Sequence, residues 1–410
     1  MSVGGTDGGD GLMTMPSVVP FRVKVDNGAI EDLRTRLDLT RWPEAETTGD
    51  WRQGVRLDWL RDLAGYWAAD YEWRRCEQRI NAFPQYTTTI DDLEIHFIHR
   101  PSLLPGAVPL LMTHGWPGSI VEFLDVIDAL ADPSQSAADG PAFHVVCPSL
   151  PGFGFSARPG GTGWGPERIA EAWTTLMTRL GYERFFVQGG DWGAFVSTAM
   201  AERFPDRVAG VHVNMPVAPP DPATANDYTP AEQRALSDTE QMSRSGRGYS
   251  AIQSTRPQTI GYALVDSPAA LCAWITDKFW AWTDHRGDPY EALTRDQMLD
   301  NVSVYWFTST GASAGRIYWE GVQTQPWDSI YRQVRHIAVP AGISIFPKEI
   351  QRPSRRWCER YFHDLRYFDE PARGGHFAAF EQPQLFVDQV RRAVRSMQWG
   401  LRPIGAARER

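Results

Sequence analysis

One aspartate stands among glycines in Gly189-Gly190-Asp191-Trp192-Gly193. The apolar run Phe185-Phe186-Val187-Gln188 before it reads as a buried strand, and residues 194–200 after it read as a helix. Glycine on both sides of Asp191 suits a sharp turn with no room for neighbouring side chains. A carboxylate attacking an acyl carbon would give an anhydride and gain little. A carboxylate attacking an sp³ carbon gives an alkyl ester, which water can then cleave at the carbonyl. Asp191 therefore points to covalent catalysis on an alkyl electrophile such as an epoxide or an alkyl halide. Alone, the stretch would also suit a plain turn with Asp as the helix cap.

A strand, a Gly-flanked polar residue and a helix form the nucleophile elbow of the α/β-hydrolase fold, where acid and then histidine follow the nucleophile along the chain. His376, in Gly374-Gly375-His376-Phe377, lies in a Gly-rich loop after the last expected strand. Glu349 follows the strand expected to end at Phe346, and is the candidate acid that orients His376 and stabilises its cation. Asp364, Asp369 and Glu370 are its rivals. The oxyanion of ester cleavage needs backbone N–H donors, expected at Trp192 and at Trp116 in His114-Gly115-Trp116-Pro117. An epoxide also needs an acid at its ring oxygen. Tyr228, Tyr249, Tyr262, Tyr290, Tyr305 and Tyr318 are candidates, and composition does not choose among them.

The elements that must hold these groups follow from periodicity. Residues 1–16 read as a disordered tail and 17–104 as an N-terminal domain. The latter has an extended stretch at 21–25, a helix at 30–37, a long helical pattern at 57–80 and paired strands at 86–90 and 93–99 around Asp91-Asp92. From 105 to 218 strands and helices alternate: strands at 108–113, 143–147, 185–188 and 208–213, and helices opening at Ser119, with a capping box to Glu122, and at Pro166. This is a mostly parallel sheet flanked by helices. Residues 219–332 carry no clear strand and read as a helical lid. Sheet logic returns over 333–400, with strands at 341–346 and 366–368, a helix at 355–362 and a closing helix at 385–397.

With 410 residues and a net charge of −9, the composition is globular and argues against nucleic acid or an anionic membrane as partner. The four cysteines are widely spaced and form no metal or redox motif, so no metal and no cofactor are expected. No leader or membrane span is evident, which predicts a cytoplasmic protein.

Five stretches together carry a resemblance: Arg41-Trp42-Pro43, His114-Gly115-Trp116-Pro117-Gly118-Ser119, the elbow, Gln253-Ser254-Thr255-Arg256-Pro257 and Gly374-Gly375-His376-Phe377. From about Pro20 onward the chain resembles the microsomal-type epoxide hydrolases. That resemblance implies Asp191 as nucleophile, Glu349 as acid and His376 as base. It selects Tyr249, just before the Gln-Ser-Thr stretch, and Tyr318, in Arg316-Ile317-Tyr318-Trp319, as the tyrosines that activate the ring oxygen. It implies a small-molecule epoxide as substrate, opened to a vicinal diol, and the aromatic residues of the lid and pocket suggest a bulky or aryl one. It also implies a homodimer and, without the membrane helix of the mammalian members, a soluble bacterial-type enzyme. Detoxification and a natural-product tailoring step, such as enediyne biosynthesis, fit the sequence equally. A haloalkane dehalogenase and a non-catalytic hydrolase-fold receptor are the alternatives. The first would make the tyrosines incidental, and the second would be expected to lack a member of the catalytic set.

Overall fold

The apolar runs pair into one nine-stranded sheet, seen in a computed structural model that describes residues 17–135, 140–324 and 336–398. The expected N-terminal tail lies outside the described residues, as does the end of the expected lid. The strands are β1 (Val19–Phe21), β2 (Gln85–Ile90), β3 (Leu93–Arg100), β4 (Val108–Thr113), β5 (Phe143–Pro148), β6 (Phe185–Gly189), β7 (Val208–Val213), β8 (Ile337–Ser344) and β9 (Phe362–Asp369). Their order is β1-β2-β3-β5-β4-β6-β7-β8-β9. The first four in that order are antiparallel neighbours, and β5 through β9 run parallel. β6 and β7 are buried along their whole length, as strands covered by helices on both faces must be. β2 and β3 turn through Asp91 and Asp92, both at positive φ, which short polar residues tolerate.

Several local readings differ from the sequence pattern, among them β8, expected over 341–346 and found at Ile337–Ser344. The edge strand is Val19–Phe21 rather than 21–25. The pattern at 57–80 is two helices, Leu57–Ala69 and Trp73–Asn81, because the first ends at Asp70. Ser119 caps only a short 3₁₀ turn, accepting from the Val121 N–H at 3.3 Å, so a second helical turn restarts at Ile127. The helix at 355 stops at Cys358, and Phe362 already belongs to β9.

Between β7 and β8 the described residues form no strand and are largely helical, including Gly248–Thr255, Pro268–Trp282, Arg295–Phe307 and Gly311–Thr324. The N-terminal helices pack on this lid through a buried charge. Asp300 is fully buried, and Tyr71 OH (2.8 Å), Arg75 Nη2 (3.0 Å) and Arg79 Nη1 (3.1 Å) all donate to it. A buried carboxylate with that many donors is satisfied; removing any one of them would leave it short of partners. Trp67 Nε1 donates to Ser303 Oγ one turn further on (3.0 Å). The helix Arg295–Phe307 is thereby fixed, and it in turn holds part of the site.

Candidate active site

β6 ends at Gly189, and Asp191 opens the next helix with φ of 49°. A non-glycine residue in that region is strained, and such strain concentrates at functional turns. The glycines around it are forced by contact. A Cβ on Gly193 would lie 1.8 Å from the Thr113 carbonyl, and one on Gly115 would lie 2.2 Å from Asp191 Oδ1. The end of β4 and the first turn of the elbow helix thus meet with no room for a side chain between them.

Asp191 is buried, with one oxygen on each of two partners. The Trp116 N–H donates to Oδ1 at 2.8 Å, and His376 Nε2 lies 3.3 Å from Oδ2. His376 Nδ1 lies 2.6 Å from Glu349 Oε1, and the side chains of both are almost fully buried. The backbone carries these two residues independently: Glu349 follows β8, while the His376 N–H donates to the Trp282 carbonyl at 2.9 Å. Glu381 braces the histidine loop by accepting from the Phe377 and Asp284 N–H groups, and Asp284 accepts from the Gly374 N–H.

Burial works against a charged His376, yet the Glu349 and Asp191 carboxylates outweigh it and hold the imidazole well above its usual range. His114, by contrast, is pushed down to about 4 by burial. It is a neutral spacer that accepts from the Leu150 N–H and so sets the Trp116 turn. Of the rival acids, Asp364 pairs with Arg366, Asp369 accepts from the Gln389 side chain, and Glu370 is exposed.

Of the six lid tyrosines, the structure brings Tyr249 and Tyr318 to Asp191. Their rings lie 5.7 Å apart, and both flank Trp116, Tyr249 stacked at 5.1 Å and Tyr318 edge-on at 5.7 Å. Hydrogen bonds link the Tyr318 side chain to Trp192 and Tyr249, and burial, with the nearby Tyr249 and Asp191, raises its phenol well above the ordinary range. Tyr305 instead donates to the Gly118 carbonyl at 2.7 Å, Tyr290 stacks on Trp59, Tyr228 lies edge-on to Trp357, and Tyr262 is exposed. The Trp192 N–H sits in the first turn of the elbow helix, next to Asp191.

A pocket of about 240 Å³ opens from Asp191 between these tyrosines. Its walls are mainly apolar, from Trp192, Phe195, Met215, Val217, Met242 and Ile350, with Arg247 also lining it.

Three contributors carry no motif. Asn301 donates through Nδ2 to the Pro117 carbonyl (2.8 Å) and accepts from Ser119 Oγ (2.7 Å), fixing the turn that presents the Trp116 N–H. Lys278 is buried, with Nζ 4.5 Å from the Tyr249 ring centroid and 2.5 Å from Asp277 Oδ2. Only its rarity could have flagged it, since the chain has three lysines. Glu122, assigned from sequence only to a helix cap, lines a small cavity with Asp191 and His376.

The family described as "Epoxide hydrolase N terminus" matches residues 18–123, and "alpha/beta hydrolase fold" matches residues 108–242. A Stigmatella aurantiaca protein, provisionally named an epoxide hydrolase, is 49% identical over 381 residues, covering 93% of this chain and 85% of the relative. Epoxide hydrolase 1 of Sus scrofa is 34% identical over 401 residues, covering 92% of this chain and 88% of its own length. Among solved structures, the juvenile hormone epoxide hydrolase of Bombyx mori superposes with a TM-score of 0.86 at 30% identity, covering 94% of this chain and 96% of that one. Among the described residues, no helix is long and apolar enough to cross a membrane.

Proposed function

Since the chain belongs to the epoxide hydrolases of the α/β-hydrolase fold, we propose that it opens an epoxide to a vicinal diol through an ester on Asp191. The observation that carries this reading is the placement of Asp191 between two sets of groups. Trp116, His376 and Glu349 lie on its core side, and Tyr249 and Tyr318 reach it from the lid.

In the first half-reaction, the Asp191 oxygen not held by the Trp116 N–H attacks a ring carbon. The C–O bond breaks, and the ring oxygen takes a proton from the tyrosine pair. A phenol held above its usual range by burial stays protonated and able to donate, which suits Tyr318. Lys278 places a cation over Tyr249, where negative charge builds as that phenol gives up its proton.

In the second half-reaction, water adds to Asp191 Cγ while His376 takes its proton. The oxyanion forms on Oδ1, where the Trp116 N–H already donates, and the Trp192 N–H is the expected second donor. In the resting protein the Asp191 charge helps hold His376 protonated. Esterification removes that charge and frees the imidazole to act as base, with Glu349 stabilising the cation it becomes.

The apolar pocket fits a bulky or aryl epoxide. The tyrosine pair at Asp191 favours an epoxide over a haloalkane, whose halide leaves without a proton. The test is intact-protein mass of His376→Gln after mixing with an aryl epoxide and, separately, a haloalkane. The expected result is a gain equal to the whole epoxide, mapped to Asp191. A gain of only the alkyl group from the haloalkane, with none from the epoxide, would reject the reading.

A further inference from the structure

We propose that Glu122 holds the hydrolytic water, in a small cavity on the core side of the nucleophile. This rests on the ester mechanism above and assigns a residue to its second half.

The cavity measures about 20 Å³. One water needs roughly 10–15 Å³ measured this way, and two to four polar partners. The cavity supplies them. Glu122, His376 and Asp191 line it, together with Thr113 and Gln188. Thr113 and Gln188 are both essentially unexposed, and Thr113 Oγ1 and Gln188 Oε1 have no hydrogen-bond partner among the described residues. Buried polar atoms are costly to leave unpaired, so two on the wall of a water-sized space mark a place built for water.

Its position is the second argument. The cavity and the substrate pocket share one lining residue, Asp191. In the ester, the alkyl group lies on the pocket side and Cγ is open to the cavity side. Water there reaches Cγ without passing the bound substrate. Its oxygen bonds to Cγ and one proton goes to His376 Nε2. Collapse breaks the bond from Cγ to the alkyl oxygen, which takes that proton back as the diol leaves. The second O–H of the water points to Glu122, whose oxygen accepts it.

Local backbone is shaped for this carboxyl. A Cβ on Gly118 would lie 1.3 Å from Glu122 Oε1, so the side chain folds against the turn that presents the Trp116 N–H. Burial pushes the Glu122 carboxyl up to about 8, with His376 opposing and Asp191 adding to the rise. A neutral carboxyl still accepts through its carbonyl oxygen, and it sets no negative charge against the oxyanion forming on Asp191.

Three variants test this: Glu122→Met, which keeps length but removes the acceptor, Glu122→Gln, which keeps an acceptor, and Thr113→Val. With a two-step mechanism, slower hydrolysis lowers kcat and KM together and leaves kcat/KM unchanged. The expected result for Glu122→Met is a kcat about 10- to 100-fold lower with unchanged kcat/KM and the Asp191 ester accumulating in intact mass, as for a misplaced reactant. Glu122→Gln should stay within about threefold of wild type, and Thr113→Val should lose about three- to tenfold, a single neutral hydrogen bond's worth. Ester decay in Glu122→Met at the wild-type rate overturns the proposal, as does a fall in kcat/KM as large as the fall in kcat. Should Glu122→Met not fold, an unchanged ester decay in Thr113→Val overturns it. His376→Gln in the same assay separates the two readings. An ester trapped there, with no slowing in the Glu122 and Thr113 variants, rejects the water site alone. No ester on Asp191 at all rejects the mechanism beneath it.

Discussion

The core side and the lid side of Asp191 are built by different means. On the core side, Trp116, Glu349 and His376 sit on loops at the ends of parallel strands, and backbone contacts fix them: Gly193 against Thr113, Gly115 against the carboxylate, and the His376 N–H on the Trp282 carbonyl. On the lid side, Tyr249 and Tyr318 lie on two helices and reach Asp191 through ring packing and hydrogen bonds between side chains. In the proposed mechanism the first set cleaves an ester and the second opens a ring, so each half-reaction has its own scaffold. The two halves should therefore fail separately.

Asp191→Asn would remove what the two sides share. It should lower turnover by about 10⁴-fold or more, as loss of a nucleophile does, and give no ester in intact mass. Sustained turnover without deamidation back to Asp would remove Asp191 from its role. Tyr249→Phe combined with Tyr318→Phe should abolish ring opening while circular dichroism and thermal midpoint stay near wild type. Each single change should cost about 10²-fold, the usual scale for one donor to a developing oxyanion. His376→Gln breaks the other side: ester forms at near the normal rate and decays about 10²- to 10⁴-fold more slowly, the range for a general base. If the tyrosine variant also slowed ester decay, the division between core and lid would be wrong.

That division also separates what could be read in the sequence from what could not. The elbow was legible because a sharp turn demands glycines in a fixed order around Asp191. His376 and Glu349 followed from chain order after β9 and β8. The tyrosines were not legible from pattern, since a tyrosine on a lid helix that reaches the site looks like one that packs. Tyr305, one of the six candidates, is as buried as Tyr318 but bonds the Gly118 carbonyl instead. Resemblance to a family, rather than periodicity, separated them. Asn301 and Lys278 make their contacts with distant segments, which no local spacing records, and the cavity that Glu122 lines takes its other walls from distant strands and loops. The continuous helix expected at 57–80 failed for a related reason. Its stripe was read correctly, but the chain breaks at Asp70 so that Tyr71, Arg75 and Arg79 can all reach Asp300.

Asn301 joins the two sides, so its effect should be mixed. Asn301→Ala leaves the Pro117 carbonyl and the Ser119 hydroxyl without their buried partner. Unsatisfied groups of this kind cost about 1–3 kcal/mol each, and the thermal midpoint should fall. The Trp116 N–H should also lose its aim at Oδ1, slowing ester hydrolysis about tenfold. A lower midpoint with unchanged ester decay would make Asn301 purely structural.

Lys278→Met should have the smallest effect and is the sharpest probe of the lid side. The lysine touches Tyr249 and also lies 5.5 Å from the Trp282 ring, which in turn packs edge-on against His376 at 5.0 Å between centroids. It could in principle act on either half-reaction. Asp277, 2.5 Å from Nζ, cancels part of its charge at long range, so only the nearer ring should feel it strongly. A desolvated cation over a ring is worth about 2 kcal/mol or more, and with Asp277 beside it less than that should appear. Single-turnover ester formation should therefore slow by about three- to tenfold while ester decay stays at the wild-type rate. Slower decay with unchanged formation would mean that Lys278 acts through Trp282 on His376, and the cation would belong to the core side.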